Sequence, residues 1–317
     1  MRPGHATETR LESNLLGRAD LLRDFLAVVN EGGIRAAAGR VHLSQSALTR
    51  RIQELERALG EQLFERHSLG MRLTRFGDVL RHHAQLVDLA CHDAVSELHD
   101  LREGGAGELR LAAGPAWDSG LVPDAIAAVQ QRFPTIRFLV NSRHNEDTLP
   151  LLTDARIDLV LGALPAPARR DAQITYEHVL DIEHRVFASS GHALMSRKGL
   201  RQRDLVDAPW LWFAEAVTSR ADLGDWFHRA RLAPPKSAVE VTSLQAAVRL
   251  MQRSPYLMLL PSTLTPILAE RQLLPLALRD PIGSYPAGMM YRQSTLRLRA
   301  FSELRKTVIA LCRVLDA

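Results

Sequence analysis

Between Ser44 and Gly60 the chain reads SQSALTRRIQELERALG, and Leu48, Ile52, Leu55 and Leu59 recur there at the spacing of one helical face. The opposite face carries Gln45, Ser46, Thr49, Arg50 and Gln53 near the helix N-terminus, with Ser44 placed to cap it. These side chains suit hydrogen bonding to nucleobase edges. Gln matches adenine, Arg matches guanine, and Ser or Thr bonds either a base or a phosphate. An ordinary amphipathic helix with a solvated polar face has the same pattern, so the spacing alone leaves both readings open.

The flanking elements favour the first. Asp20 N-caps a helix with the apolar stripe Leu21, Leu22, Phe25, Val28 and Val29, which ends at Gly32-Gly33. A short helix from Ile34 to Val41 follows, with Ala36, Ala37 and Ala38 small enough for close contact, and His42-Leu43 forms the turn into the third helix. Two short strands are expected next, Gln62-Leu63-Phe64-Glu65 and Met71-Arg72-Leu73, joined by His67-Ser68-Leu69-Gly70. A hairpin directly after a helix-turn-helix is a wing, and Arg66 and Arg72 fall where a wing meets phosphates or the minor groove. From Arg35 to Arg75 eight arginines face Glu54, Glu56, Glu61 and Glu65, a local basic excess on a chain of formal charge +4.

From Gly77 to Arg102 there is no helix breaker. Leu80, Ala84, Val87, Cys91, Ala94, Leu98 and Leu101 alternate steps of four and three, a coiled-coil seam over three heptads that predicts a dimer; a lone helix packed on its own domain needs no such repeat. Cys91 lies on that seam, either as a small apolar residue or as the site of an inter-chain disulfide under oxidation.

The string AAAGRVHLSQSALTRRIQELERALGEQLFERHSLGMRLTRFG resembles the DNA-binding domain of LysR-type transcriptional regulators. Ala37-Ala38, Ser44-Gln45, Ala47-Leu48, Ile52, Leu55-Glu56, Leu59-Gly60, Leu63-Phe64-Glu65-Arg66, Leu73-Thr74 and Gly77 carry the likeness. Gly33 stands where the family usually has a Ser cap, and Ser46 where Pro is common, which bears on the bases read.

After Glu103-Gly104-Gly105-Ala106-Gly107, a flexible joint, the pattern alternates. Strands are expected at Glu108–Ala113, Ile136–Val140 and Ile157–Leu161, and helices at Leu121–Phe133 and Thr148–Thr153. That is α/β organisation with a largely parallel sheet. Gly107-Glu108-Leu109-Arg110-Leu111, Leu121-Val122-Pro123, Phe133-Pro134, Ile157-Asp158-Leu159, Gly191-His192-Ala193-Leu194, Asp204-Leu205, Pro209-Trp210 and Leu259-Leu260-Pro261 resemble the effector-binding domain of the same family. The resemblance implies a two-lobed fold like that of periplasmic binding proteins, one lobe from 107 to about 180 plus the segment after about 280, the second between them.

The expected fold class is therefore α/β, with an all-α winged helix-turn-helix domain at 19–76, a linker and dimerisation helix at 77–103, and the effector domain at 107–317. In α/β lobes a ligand sits at the carboxyl ends of strands. That points to Pro115-Ala116-Trp117-Asp118 and Asn145 in the first lobe, and to Thr218-Ser219-Arg220 and Thr242-Ser243 in the second. The hydroxyls and Arg220 suit an anionic or polar effector and Trp117 an apolar part of it; against this, the hydroxyls also cap helices, Trp117 also suits a core and Arg220 a solvated surface. Ser254-Pro255-Tyr256 replaces a Gly-x-Gly turn common in the family, and its bulk predicts a reshaped pocket.

No nucleophile elbow, phosphate loop or Cys/His metal spacing is present, which argues against an enzyme, a cofactor or a metal centre. Cys91 and Cys312 match no redox motif. The polar segment Met1–Asp20 has no signal-peptide core, and no apolar run nears the roughly 18 residues of a membrane span, so a cytoplasmic protein with no membrane partner is expected. The partners implied are double-stranded promoter DNA, a small effector, a second copy of the chain (by family likeness, four copies) and RNA polymerase. An architectural DNA-binding protein with a ligand-blind C-terminal domain remains the competing reading.

Overall fold

The computed structural model describes residues 18–67, 70–103, 107–142, 148–214 and 217–315. It divides into two compact units, one ending at Val95 and the other beginning at Ser96.

In the first unit, α1 (Ala19–Glu31), α2 (Ile34–Arg40) and α3 (Gln45–Leu59) enclose Leu21, Phe25, Val28, Ala37, Leu48, Ile52 and Leu55. Gly32 and Gly60 end α1 and α3 in the left-handed region. His42, at φ 55°, makes the tight turn between α2 and α3. The hairpin is β1 (Phe64–His67) and β2 (Gly70–Leu73), paired antiparallel with Glu65 opposite Arg72 and Arg66 opposite Met71. β1 starts two residues later than expected because the Glu56 carboxylate takes the Leu63 and Phe64 amide hydrogens, at 2.8 and 3.4 Å. Phe64 then reaches the Phe25 ring, 5.2 Å between centroids.

The long helix α4 (Arg75–Glu103) begins where Thr74 accepts the Gly77 amide hydrogen at 3.1 Å. A side chain at Gly77 would sit 2.2 Å from the Leu63 carbonyl oxygen, so only glycine allows this approach. The expected seam splits along α4. Leu80 and Ala84 are buried in the core of the winged unit itself, a correction to their assignment as dimer contacts. Val87, Cys91, Ala94 and Leu98 are exposed in the single chain, and Val79 and Val95 join them. The side chain of Leu101 lies outside the described residues.

The second unit is built on β3 (Glu108–Ala113), β4 (Arg137–Ser142), β5 (Leu159–Ala163), β6 (Ile174–Ser189) and β11 (Ser284–Arg292). β3 lies between β4 and β5, parallel to both, and β11 joins β5 to β6 antiparallel. The helices α5 (Pro115–Asp118), α6 (Leu121–Arg132), α7 (Leu149–Thr153) and α12 (Arg299–Leu315) belong to this lobe. Trp117, Val122, Val129, Phe301 and Leu304 pack on the sheet. Gly288 marks a register shift where β11 crosses β6, and a Cβ there would meet the Glu177 carbonyl oxygen at 1.9 Å.

β6 belongs to both lobes. Its first part pairs with β11 as far as Glu183, opposite Ser284. From His184, opposite Pro261, it pairs with β9 (Met258–Pro261), and Phe187 to Ser189 pair with β10 (Leu273–Pro275). The second lobe adds α8 (Gln202–Leu205), β7 (Trp210–Phe213), α9 (Val217–Arg229), β8 (Ser237–Val241), α10 (Leu244–Arg253) and α11 (Thr265–Glu270). Its interior holds Trp210, Trp226, Phe227 and Leu257 on one side and Met251, Leu260 and Leu268 on the other.

Candidate nucleic-acid interface and effector cleft

Burial of Leu48, Ile52 and Leu55 fixes the rotation of α3 and leaves Ser44, Gln45, Ser46, Arg50 and Gln53 exposed. The Ser44 hydroxyl accepts the Ala47 amide hydrogen at 3.1 Å and lies 3.1 Å from Ser46 Oγ, so it is spent as the helix cap. Thr49 is half-buried and donates to the Gln45 carbonyl at 2.8 Å, which commits its hydrogen and leaves the oxygen as an acceptor. Among the described residues Arg50 makes no ion pair; Gln53 lies one turn along from it, and Gln45 five residues before it in the first turn of α3. On the wing Arg72 is exposed on β2; the side chain of Arg66 lies outside the described residues.

Sequence spacing did not show what holds this helix. Arg51 reaches back across α1 to Asp20, at 2.7 Å, and to Asp24, whose side chain is 8% exposed. Arg18 pairs with Glu54. Arg50 and Arg51 thus have opposite duties: one projects outward and the other ties α3 to α1.

In the C-terminal unit the strand-end turns diverge from expectation. Pro115 and Asp118 are half-buried in α5 after β3; Asp118 accepts from Ser119 and from Ser142 at the end of β4. Ala116 and Trp117 are buried, and Trp117 lies within the first-lobe core with its indole nitrogen unpartnered, so it does not cover a ligand. The Ala116 carbonyl accepts from Thr263 of the turn after β9, at 3.0 Å. Asn145, and the side chain of Thr218, lie outside the described residues. Thr242 and Ser243 are exposed at the end of β8. Arg220 does not face a ligand freely: it donates to the Phe213 carbonyl at 2.8 Å, pairs with Glu240 at 3.1 Å and stacks on Trp212. Tyr256 is also corrected. It sits before the start of β9, half-buried on the second-lobe core, whereas the lobe junction is at the other end of that strand, at Pro261.

A cluster absent from the expected list occupies the junction. His184 of β6, its side chain 1% exposed, has Nε2 3.1 Å from Ser219 Oγ and Nδ1 3.1 Å from an Asp222 carboxylate oxygen, the latter off the straight line of a hydrogen bond. The Tyr285 ring lies 4.9 Å away. Burial pulls the His184 pKa below its ordinary value, against the opposing pull of Asp222, and burial together with Asp222 pushes the Tyr285 phenol up. The serine was visible in sequence; the histidine, on a strand 35 positions away, was not.

Among the described residues no helix is long and apolar enough to cross a membrane, and no three His, Cys, Asp or Glu side chains gather to hold a metal.

Residues 19–78 match the family profile of the bacterial regulatory helix-turn-helix protein, lysR family, and residues 102–313 match the LysR substrate binding domain. The chain is 29% identical over 288 residues to a probable hydrogen peroxide-inducible genes activator of Mycobacterium avium, covering 89% of this chain and 90% of that protein. It is 34% identical over 183 residues to the SDS degradation transcriptional activation protein of a Pseudomonas species, covering 56% and 58%. Full-length OxyR of Pseudomonas aeruginosa has a similar fold, with TM-score 0.64 at 20% identity over 92% of this chain and 94% of that one. CbnR, solved with its target DNA, superposes with TM-score 0.58 at 20% identity over 92% and 99%. The chain belongs to the LysR family of bacterial transcriptional regulators, with a helix-turn-helix that binds DNA and a C-terminal domain that binds an effector.

Proposed function

We propose that the protein works in the cytoplasm as a homodimer, pairing further into a tetramer, and that two copies of α3 read the halves of a dyad-symmetric operator. Gln45, Ser46, Arg50 and Gln53 address base edges, while Arg66 and Arg72 address the backbone beside them. The domains divide at 19–76, 77–103 and 107–317, with the exposed side of α4 as the dimer seam. The observation that carries the reading is the outward Arg50, without an ion pair among the described residues, between Gln45 and Gln53 on a helix whose other face is locked into the core.

A small molecule between the lobes favours one arrangement of them over another, and that difference in affinity is what couples effector to DNA. No step of catalysis is assigned. The test is selection of genomic fragments by the purified protein at near-physiological salt, followed by footprinting. A two-fold symmetric site beside a promoter is the expected product. Binding that is unselective at every salt concentration would reject the operator reading.

A further inference from the structure

We propose that Asp222, His184 and Ser219 form a polarity-setting relay at the lobe junction, so that Ser219 offers only acceptor lone pairs to a small molecule carrying an N–H or O–H donor. The inference rests on the effector reading above and names the ligand chemistry of that cleft.

Nδ1 of His184 is 3.1 Å from a carboxylate oxygen of Asp222. A bare lone pair facing a negative oxygen at that distance is repelled, and an N–H is attracted, so the proton belongs on Nδ1. Burial favours the uncharged ring and supports a neutral His184. A neutral ring protonated on Nδ1 leaves Nε2 as an acceptor. Ser219 Oγ, 3.1 Å from Nε2, must then donate its only hydrogen there.

What Ser219 has left is two lone pairs on a half-buried oxygen in the first turns of α9. A ligand meeting that oxygen needs a donor. A carboxylate would face lone pairs and, one helical turn along, the charge of Asp222, which is 35% exposed. The neighbouring cation does not reverse this: Arg220 holds Phe213 and Glu240 through Nη2 and lies on Trp212, and its Nε, though without a partner, is buried. Among the described residues, the groups that polar and ring contacts bring onto His184 are Ser219 and Asp222 from α9 and Tyr285 from β11, while its own amide donates to the Gly283 carbonyl at 2.9 Å. Tyr285 is uncharged near neutrality, since its pKa is pushed up. The class indicated is a neutral amide or alcohol, or an ammonium or amidinium cation.

Two measurements on the full-length protein test this. The first is the ring nitrogen spectrum of histidine-labelled protein at pH 7.5, with His184 assigned by the signals missing from His184→Gln. A neutral Nδ1–H ring is expected, with that pattern lost or reversed in Asp222→Asn. A ring protonated on Nε2, or on both nitrogens, overturns the relay. The second is thermal stabilisation by benzamide, benzamidinium and benzoate. The amide or amidinium is expected to stabilise, with several-fold weaker binding in Ser219→Ala and recovery in Ser219→Thr. Benzoate stabilising with the same Ser219 dependence overturns the donor rule. If none of the three shifts the melting temperature, the effector reading loses support, while the ring spectrum still decides the relay.

Discussion

Thr263 donates its hydroxyl hydrogen to the Ala116 carbonyl at 3.0 Å, joining the turn after β9 to α5 and hence one lobe to the other. Thr263→Val keeps nearly the same volume and removes the donor. An Ala116 carbonyl left without a partner costs about 1–3 kcal/mol, read as a lower urea midpoint with an unchanged operator footprint. An unchanged midpoint would show that the bond does not hold the lobes.

Arg50 and Arg51 are adjacent and should fail differently. Arg50→Ala is expected to weaken specific binding by about 1–3 kcal/mol, with the melting temperature unchanged. Arg51→Ala leaves Asp24 buried and unpaired, so it should lower stability by about 3–5 kcal/mol if that charge stays dry. A competition assay against non-specific DNA and a melting curve separate the two; equal stability losses would refute the division of labour.

The split of α4 predicts a second contrast. Leu98→Glu should give a monomer by sedimentation with a folded winged domain, because Leu98 is 55% exposed. Leu80→Glu buries a charge in that domain and should unfold it locally. Dimers persisting in Leu98→Glu would move the seam elsewhere.

Stability should depend on pH through His184. Its folded pKa lies below the unfolded value near 6.5, so the contribution is complete above that pH. As pH falls from about 6.5 toward the folded value, the unfolded chain takes up a proton that the native state refuses, and stability drops by at most about 1.4 kcal/mol per pH unit. Tyr285 acts at the other extreme: its folded pKa is raised, so stability falls as pH rises past 10. Urea titrations of His184→Gln should show a flatter acid limb; an unchanged limb would place the proton elsewhere.

The winged helix-turn-helix was legible because its signals are local: a Ser cap, an apolar period of three and four, a glycine stop. The Arg51–Asp24 tie was not, since an ion pair across 27 positions leaves no mark on either segment's periodicity. The heptad reading ran too far toward the N-terminus for a related reason. Leu80 and Ala84 satisfy a partner helix and their own domain with the same spacing, and only the packing decides. At the effector cleft the sequence located strand ends but could not say which polar groups were already used. Arg220 commits its Nη2 to Phe213 and Glu240 while its Nε stays buried, Trp117 is taken up by the core, and His184 enters from a strand that carries no ligand signature.

That β6 serves both lobes has a consequence for synthesis. The first lobe is discontinuous along the chain: β11, which lies between β5 and β6, and α12, which covers the sheet, emerge from the ribosome after the second lobe. The second lobe is complete by Ile282, so the nascent chain holds a finished later lobe beside an unfinished earlier one, with a bare edge on β5 until β11 arrives. Chains truncated before Ser284 therefore carry the hazard of an open strand edge, and β11 acts as the clasp that closes it.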